Sequence, residues 1–384
     1  MNASPVKPVA AKPPRKPFWL DKGVRRYVYG TGTVGRDVYR VLTNSGVSIT
    51  GFMDHMRPDV PPTGTPPVLL PDDPGLTPEV RSQGAVILAI HNREVDMYSL
   101  MQRLTHLGYQ HFVTMIDLYD RFADELGDRY WLAPRTLLAS HESEIRSACS
   151  LLADEASRSL FSAVLRFRTT GDYSALPAPD QEHQYAPLDI PPWTTPLRLV
   201  DCGAYDGDTL RALLHAGMTI QAVGAFEPDP ANFSRLCSYV KDNLNDLREA
   251  HLWPCAVDAV TRQVRFDVGH GEAGRMTPTG GAAIPSIALD DVLHGFSPNL
   301  IKLDVEGAEQ AALLGARSII ARSHPGLAVC VYHRPKDIWE IPLLIEELAT
   351  HQPSRGKYKY FLRAHAYSTF DLVLYAVPVS TRAP

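Results

Sequence analysis

Two glycine-rich loops carry the residue types best suited to chemistry. Gly30-Thr31-Gly32-Thr33-Val34-Gly35 follows the apolar run Tyr27 to Tyr29, and Asp201-Cys202-Gly203-Ala204-Tyr205-Asp206-Gly207-Asp208 follows Leu197 to Val200. In both, an acidic residue stands 24 positions beyond the first glycine: Asp54 after Gly30, and Glu227 after Gly203. Glycines let a ligand approach the backbone closely. A carboxylate ending the next strand can accept hydrogen bonds from the hydroxyls of an adenosine ribose. Both halves of the chain therefore carry the pattern of an adenosine site.

The charges of the loops differ. The first has no carboxylate and is followed by Arg36, which suits a phosphate at a helix N-terminus. A nucleotide or nucleotide sugar held by Gly30, Gly32, Gly35 and Asp54 is the functional reading there; a scaffolding unit is the alternative. The second loop holds Asp201, Asp206 and Asp208. Three acids would repel a pyrophosphate. S-adenosylmethionine carries an ammonium and a sulfonium and no phosphate, so the acidic loop favours that cofactor. Asp208 has a simpler reading as the cap of the following helix.

Elements must position these loops. Around the first, Tyr27–Tyr29, Val47–Met53, Ala85–Ile90 and His111–Met115 read as strands, with helices at Arg36–Leu42 and Val95–Leu107. Around the second, strands are expected at Leu197–Val200, Ala222–Phe226, Leu252–Val257, Gln263–Asp267, Leu300–Leu303 and Gly326–Tyr332. Helices are expected at Thr209–His215, Pro230–Asn243 and Ala308–Leu314. Such alternation predicts parallel sheets with helical crossovers. Tyr358–Leu362 and Leu372–Ala376 could pair as an antiparallel hairpin. Between the halves, Glu142–Phe167 has apolar residues at helical spacing. Gly171–Pro196 is polar and proline-rich, a domain linker or a lid over a site. The expected division is a disordered basic tail over 1–22, a doubly wound domain over 23–125, a helical linker and lid over 126–194, and a catalytic domain over 195–384.

The bulk properties exclude several classes. A net charge of -5 does not suit a nucleic-acid-binding surface. No apolar run reaches the roughly 18 residues of a membrane span. The tail residues Lys7, Lys12, Arg15 and Lys16 read as solvated. Cys149, Cys202, Cys237, Cys255 and Cys330 are scattered without a CxxC pair, which argues for reduced thiols and a cytoplasmic location. A homo-oligomer stays open.

Several segments of the second half, in order, resemble the FkbM-type methyltransferases, a branch of the class I Rossmann-like methyltransferases. They are VDCGAYDGDTL (200–210), AFEPDPANFSRL (225–236), IPSIALDDVL (284–293) and IKLDVEGAEQAALLGA (301–316), extended by 331–345 and 358–376. The resemblance spans about residues 195–378 and leaves out the first domain. The whole chain then reads as α/β with two doubly wound Rossmann-like domains, the second a seven-stranded sheet ending in an antiparallel hairpin. The resemblance implies S-adenosylmethionine contacts at Asp201, Gly203, Ala204 and Gly207, with Asp206 in the same loop, and a ribose carboxylate at Glu227. Phe226 and Pro228 would border the adenine, and Ala256 and Val257 would line its other side. Cys202 and Tyr205 depart from the commoner residues of the family.

Asp304 and Glu306 follow a strand at the edge where doubly wound sheets bind ligands. They are the first and second choices for orienting or deprotonating an acceptor. His333 follows the next strand, and an ordinary histidine there could take a proton at neutral pH. Arg334, Lys336, Arg363 and His365 could recognise an acidic acceptor or form a solvated face. Trp339 is expected to pack its helix. Asp304 and Glu306 are also hard oxygen ligands, but spacing picks out no further ligands and no metal is assigned. The expected activity is methylation of a hydroxyl on a sugar, glycolipid or secondary metabolite. The alternatives are an N- or C-methyltransferase on an amino-acid-derived acceptor, and a nucleotide-binding scaffold with an inactive second domain.

Overall fold

The computed structural model describes residues 17–56, 66–244, 247–266, 281–350 and 356–379. The basic residues Lys7 to Lys16, residues 57–65 and Asp267 lie outside them. The described residues divide between two compact units. The first is drawn from Met1–Glu142, Ser162–Ala178 and Tyr367–Phe370, the second from Ser143–Phe161, Pro179–Ala366 and Asp371–Pro384. Among the described residues no helix is long and apolar enough to cross a membrane.

Among its described residues the first unit has five strands: β1 (Arg26–Tyr29), β2 (Gly51–Met53), β3 (Val68–Leu69), β4 (Ala85–Leu88) and β5 (His111–Val113). They are all parallel, in the order β3-β2-β1-β4-β5. This is a doubly wound sheet whose switch point lies between β1 and β4. Val28, Val86 and Ile87 are fully buried, as the unbroken apolar runs of a parallel sheet require. Three strands are shorter than the sequence suggests: β4 stops at Leu88 instead of Ile90, and β2 and β5 shorten for local reasons. β2 opens at Gly51 because Val47 closes the preceding helix, donating to the Leu42 carbonyl at 2.9 Å. β5 ends at Val113 because Thr114 and Asp117 form a capping box on the helix Met115–Leu126.

Among its described residues the second unit holds ten strands: β6 (Leu197–Cys202), β7 (Ile220–Phe226), β8 (Glu249–Trp253), β9 (Ala256–Val257), β10 (Arg262–Phe266), β11 (Ala282–Ile287), β12 (Leu300–Leu303), β13 (Gly326–Cys330), β14 (Tyr358–Ala364) and β15 (Leu372–Pro378). Seven form one sheet in the order β14-β15-β13-β12-β6-β7-β8, and β10-β11-β9 form a small second one. β15 runs antiparallel to both β13 and β14, which makes the expected terminal hairpin. The expected strand Leu252–Val257 is two strands in different sheets. Pro254, which cannot donate to a ladder, stands at the break. The expected helical run over 142–167 also breaks, into Glu142–Leu151 and Glu155–Thr170. There Ala153 donates to Tyr360 of β14 at 2.8 Å, and Asp154 accepts from the Ser157 amide, so a new helix is capped.

Register sets the functional edge. Cys202 pairs with Leu303 on one side and Phe226 on the other. The residues that follow these strands, Gly203, Asp304 and Glu227, therefore leave the sheet side by side.

Close approach governs the first glycine loop. Gly30 has φ +109, and a Cβ on Gly35 would lie 1.9 Å from the Gly30 carbonyl oxygen. Gly35→Ala is expected to destabilise the first unit by about 1–3 kcal/mol, read as a lower denaturant midpoint in chemical unfolding.

Candidate active site

The second glycine loop turns on two left-handed glycines. Gly203 has φ +76, and a Cβ there would meet the Asp304 carbonyl oxygen at 1.9 Å; Gly207 has φ +92, and its Cβ would meet Tyr239 at 2.7 Å. The first glycine lets the loop touch the chain after β12, and the second lets it touch the helix Pro230–Asn243. Gly207 is also the N-cap of the helix Asp208–His215. Asp208 is therefore not the expected cap; it sits one residue inside, in the first turn.

Two of the three loop acids are matched by cations. Asp201 is fully buried and pairs with Lys302 Nζ at 3.1 Å. Burial pushes its carboxyl up to about 6 against the pull of Lys302. Lys302 also donates to the Gly203 carbonyl at 2.6 Å and the Cys202 carbonyl at 3.3 Å. Asp206 is paired with Arg211. The case for a cationic cofactor from three open acids is weaker than the sequence suggests, since two of them have internal counter-ions. With no exposed surface, Asp201 acts through Lys302 on the loop, and Ala204, equally buried, offers no side-chain contact in this conformation.

Glu227 sits after β7 and holds the loop from the other side. It accepts from the Tyr205 amide at 2.9 Å, the Asp229 amide at 2.9 Å and the Asn232 amide nitrogen at 3.3 Å. Burial raises its carboxyl to about 7 despite those bonds. Phe226 is buried, its ring stacked on Trp253 with centroids 4.6 Å apart and planes 6° apart. Trp253, the last residue of β8, escaped the sequence reading; its signal was an aromatic ring at a strand end. Pro228 is half-buried beside Glu227. Ala256 packs with Phe266 and Ile284 in the small sheet, and Val257 is buried next to it.

A second constellation follows β12 and β13. Asp304 is partly exposed; its Oδ2 accepts from the Tyr185 hydroxyl at 2.9 Å, and its Oδ1 lies 3.4 Å from His333 Nε2. Glu306 Oε1 is 3.7 Å from the same nitrogen. Glu309 Oε1 lies 2.8 Å from His333 Nδ1 and accepts from the Val305 amide at 2.9 Å and from the Gly307 amide at 3.4 Å. The turn Asp304 to Gly307, with φ +53 at Glu306 and +95 at Gly307, is thus fastened by the last glutamate of its own motif. That explains why the glutamates of LDVEGAE stand three apart: Glu306 faces out and Glu309 ties the turn. Glu309, Lys302 and Tyr185 were not singled out from the sequence.

Charge states follow from these contacts. Burial opposes protonation of His333, but Glu309, Glu306 and Asp304 outweigh it and raise the imidazole to about 10. The three acids thus favour the charged imidazole, which counts against the expected role as general base. Burial also opposes the charge on Asp304, yet Lys302, His333 and Tyr185 hold its carboxyl below the ordinary range. Asp304, Glu309 and His333 each offer a ligand atom within 4.8 Å of the others. In this arrangement one imidazolium partly offsets two carboxylates.

The basic rim contributes less than expected. Arg363 is taken up by Asp154, Asp189 and Ser157. His365 is buried between the Asp180 carbonyl and the Tyr375 hydroxyl. Lys336 pairs with Glu340 at 3.7 Å. Arg334 is exposed and lies against Gly307, next to Glu306. Trp339 is fully buried in its helix, as expected.

In the first unit, Asp54 accepts from the Thr31 amide at 3.0 Å and the Thr31 hydroxyl at 2.7 Å, and meets His55 Nδ1 at 2.8 Å. Burial opposes its charge, but these bonds lower its carboxyl. Gly32 caps the helix Thr33–Asn44 without a side-chain bond. In each unit, then, the carboxylate 24 residues after the first glycine binds an amide of its own glycine loop.

His333→Gln is expected to cost about 3–5 kcal/mol, because a buried cation is removed from its acids. The stabilisation from His333 is complete below about 6.5 and is lost as pH rises through about 10. Thermal unfolding between pH 7 and 10 should thus show a decline in the wild-type protein that the variant lacks.

Residues 201–367 match the family described as the methyltransferase FkbM domain. No curated protein matches the chain. The crystal structure of methyltransferase FkbM from Methylobacillus flagellatus has the same fold: 20% identity, a TM-score of 0.71, and coverage of 92% of this chain and 90% of that one. Fibrillarin from Aeropyrum pernix, solved with S-adenosyl-L-methionine, is 11% identical over 47% of this chain and 66% of its own, with a TM-score of 0.27. At that distance it bears on neither fold nor function. The C-terminal half of this chain carries a methyltransferase FkbM domain, spanning residues 201–367.

Proposed function

We propose that the second unit transfers a methyl group from S-adenosylmethionine to a hydroxyl of a small molecule: a sugar, a glycolipid or a secondary metabolite. The supporting observation is the adjacency of Glu227 and Asp304 on either side of Gly203, at the carboxyl ends of the parallel strands β7, β6 and β12. Glu227 is the ribose carboxylate in this reading. The positive-φ glycines 203 and 207 let a ligand lie against the backbone. When bound, the cofactor supplies an electrophilic methyl group. The protein's own task is to aim an oxygen lone pair at it, and positioning of two reactants contributes up to roughly 7–11 kcal/mol.

Asp304 performs that aiming. Its charge is held by Lys302 and His333, so it is a weak base and a firm hydrogen-bond acceptor. It orients the acceptor hydroxyl and receives its proton only as the oxygen becomes cationic late in the transfer. Glu306 offers a second, partly exposed carboxylate for passing that proton to water. His333 keeps both carboxylates in place.

Calorimetric titration of S-adenosylmethionine into the purified protein tests the cofactor. Micromolar binding is expected, with loss of at least tenfold in Glu227→Ala. Absence of binding by folded wild-type protein, with candidate hydroxylated acceptors added, would overturn the reading. With an acceptor found by labelled-methyl screening, Asp304→Asn should lower turnover roughly 100-fold or more while cofactor affinity changes little.

A further inference from the structure

Residues 179–196 contain no regular strand or helix, yet they are held in place by side chains of the second unit. Tyr185 is the centre of this strap. It is buried and has φ +67, a conformation that side-chain-bearing residues rarely adopt. Both of its backbone groups are engaged: its amide donates to the Tyr375 hydroxyl at 3.1 Å, and its carbonyl accepts from Trp193 Nε1 at 2.6 Å. Trp193 is in turn wedged against β13, where a Cβ on Gly326 would lie 2.5 Å from its ring. Tyr375 is fixed through His365 Nε2 at 2.8 Å, and His365 Nδ1 bonds the Asp180 carbonyl at 2.6 Å, at the start of the strap. The strap is thus closed on itself around one side chain, whose hydroxyl points at Asp304.

A buried backbone strained in this way persists only where its surroundings over-determine it. Here they fix the direction of a phenol. The Tyr185 hydroxyl occupies Asp304 Oδ2 at 2.9 Å, leaving Oδ1 toward His333. The Lys302 ammonium lies 5.5 Å from the centre of the Tyr185 ring, so the ring also covers the cation that balances Asp201. Burial and the neighbouring Asp304 keep the phenol protonated, so it is always the donor.

We infer that Tyr185 is a positioning residue for the reaction: the strap carries it onto Asp304 Oδ2, so that a single carboxylate oxygen, Oδ1, is presented to the acceptor. The inference rests on Asp304 being the group that faces the acceptor. It makes the order of the strap and the basicity of Asp304 one property. Other ionisable groups around Asp304 are Lys302 from β12, His333, Tyr332 and Cys330 from β13 and its exit, Glu306 from the turn, Asp201 from β6, and Asp208 from the glycine-loop helix. Of these, Cys330 also touches the Tyr185 hydroxyl, through Sγ at 3.8 Å; the others keep their side chains and contacts in Tyr185→Phe.

The test follows the Asp304 carboxyl carbon by NMR across the pH range in which the full chain stays folded, with the resonance assigned by its loss in Asp304→Asn. In Tyr185→Phe, which keeps the ring and removes the donor, the Asp304 titration should move up by about one pH unit. Incorporation of 3,5-difluorotyrosine at position 185, a stronger donor of nearly the same shape, should move it down. Coincident curves for wild type and either folded variant would overturn the inference. Titration of S-adenosylmethionine into the same samples separates this outcome from the proposed activity: affinity within twofold of wild type is expected for both variants. Failure of the wild-type protein to bind would remove the activity while leaving the coupling between Tyr185 and Asp304 to be read from the carbon shifts.

Discussion

Lys302 lies in the middle of β12 with its ammonium buried among Asp201, the carbonyls of Cys202 and Gly203, and the field of Asp304. A lone ammonium in such a place would shed its proton. The surrounding acids instead hold Lys302 above its ordinary value, against the penalty of burial. One cation thereby joins two strand ends: it is carried by β12, pairs with a side chain of β6, and bonds the carbonyls where β6 turns into the glycine loop. The close contact of Gly203 with the Asp304 backbone is the steric side of the same junction. Removing the charge would leave Asp201 without its partner at the point where the loop leaves the sheet, which is costly in a low-dielectric interior.

From that junction the rest of the edge is arranged by paired carboxylates and amides. Glu227 and Glu309 do similar work on different turns. Each is buried, each accepts from two backbone amides, and each fixes a loop that would otherwise carry unsatisfied donors. The acids with more exposure, Asp304 and Glu306, are the ones left facing outward. The division of labour among these carboxylates follows burial: the enclosed ones build, and the partly exposed ones remain available for chemistry.

Much of this was legible in the sequence. The strand, glycine loop and acidic strand end appear in both halves, and the doubly wound order of each sheet follows from alternating apolar runs. Leu300–Leu303 was read with its observed limits, because an apolar tetrad between loops has few other solutions. Boundaries were misread where a cap or a proline intervened, at Thr114, Asp154 and Pro254; such features act locally and leave apolar periodicity intact. The site was read less well than the fold. Asp201, Asp206, Arg363 and His365 all looked free, but each has a partner distant in sequence or on the far side of a turn. Spacing shows where a charge stands and not what neutralises it. Tyr185 had no signal at all, since its importance comes from a backbone bend and three contacts with residues 193, 304 and 375.

The segment Ser143–Phe161 belongs to the second unit although it precedes the catalytic segment by some distance in the chain. Ala153 extends the edge of β14 with a backbone bond to Tyr360, and Asp154 supplies one of the two carboxylates that hold Arg363. The Ser157 hydroxyl receives the Leu362 amide and the Arg363 guanidinium. A fragment beginning at Leu197, which the sequence motifs would suggest as a natural unit, would leave the outer strand of its sheet bare along that side. Unpaired sheet edges template association with other chains. The minimum of the methyltransferase half is therefore set by hydrogen-bond closure at β14, and it takes in Ser143–Phe161, well before the second glycine loop.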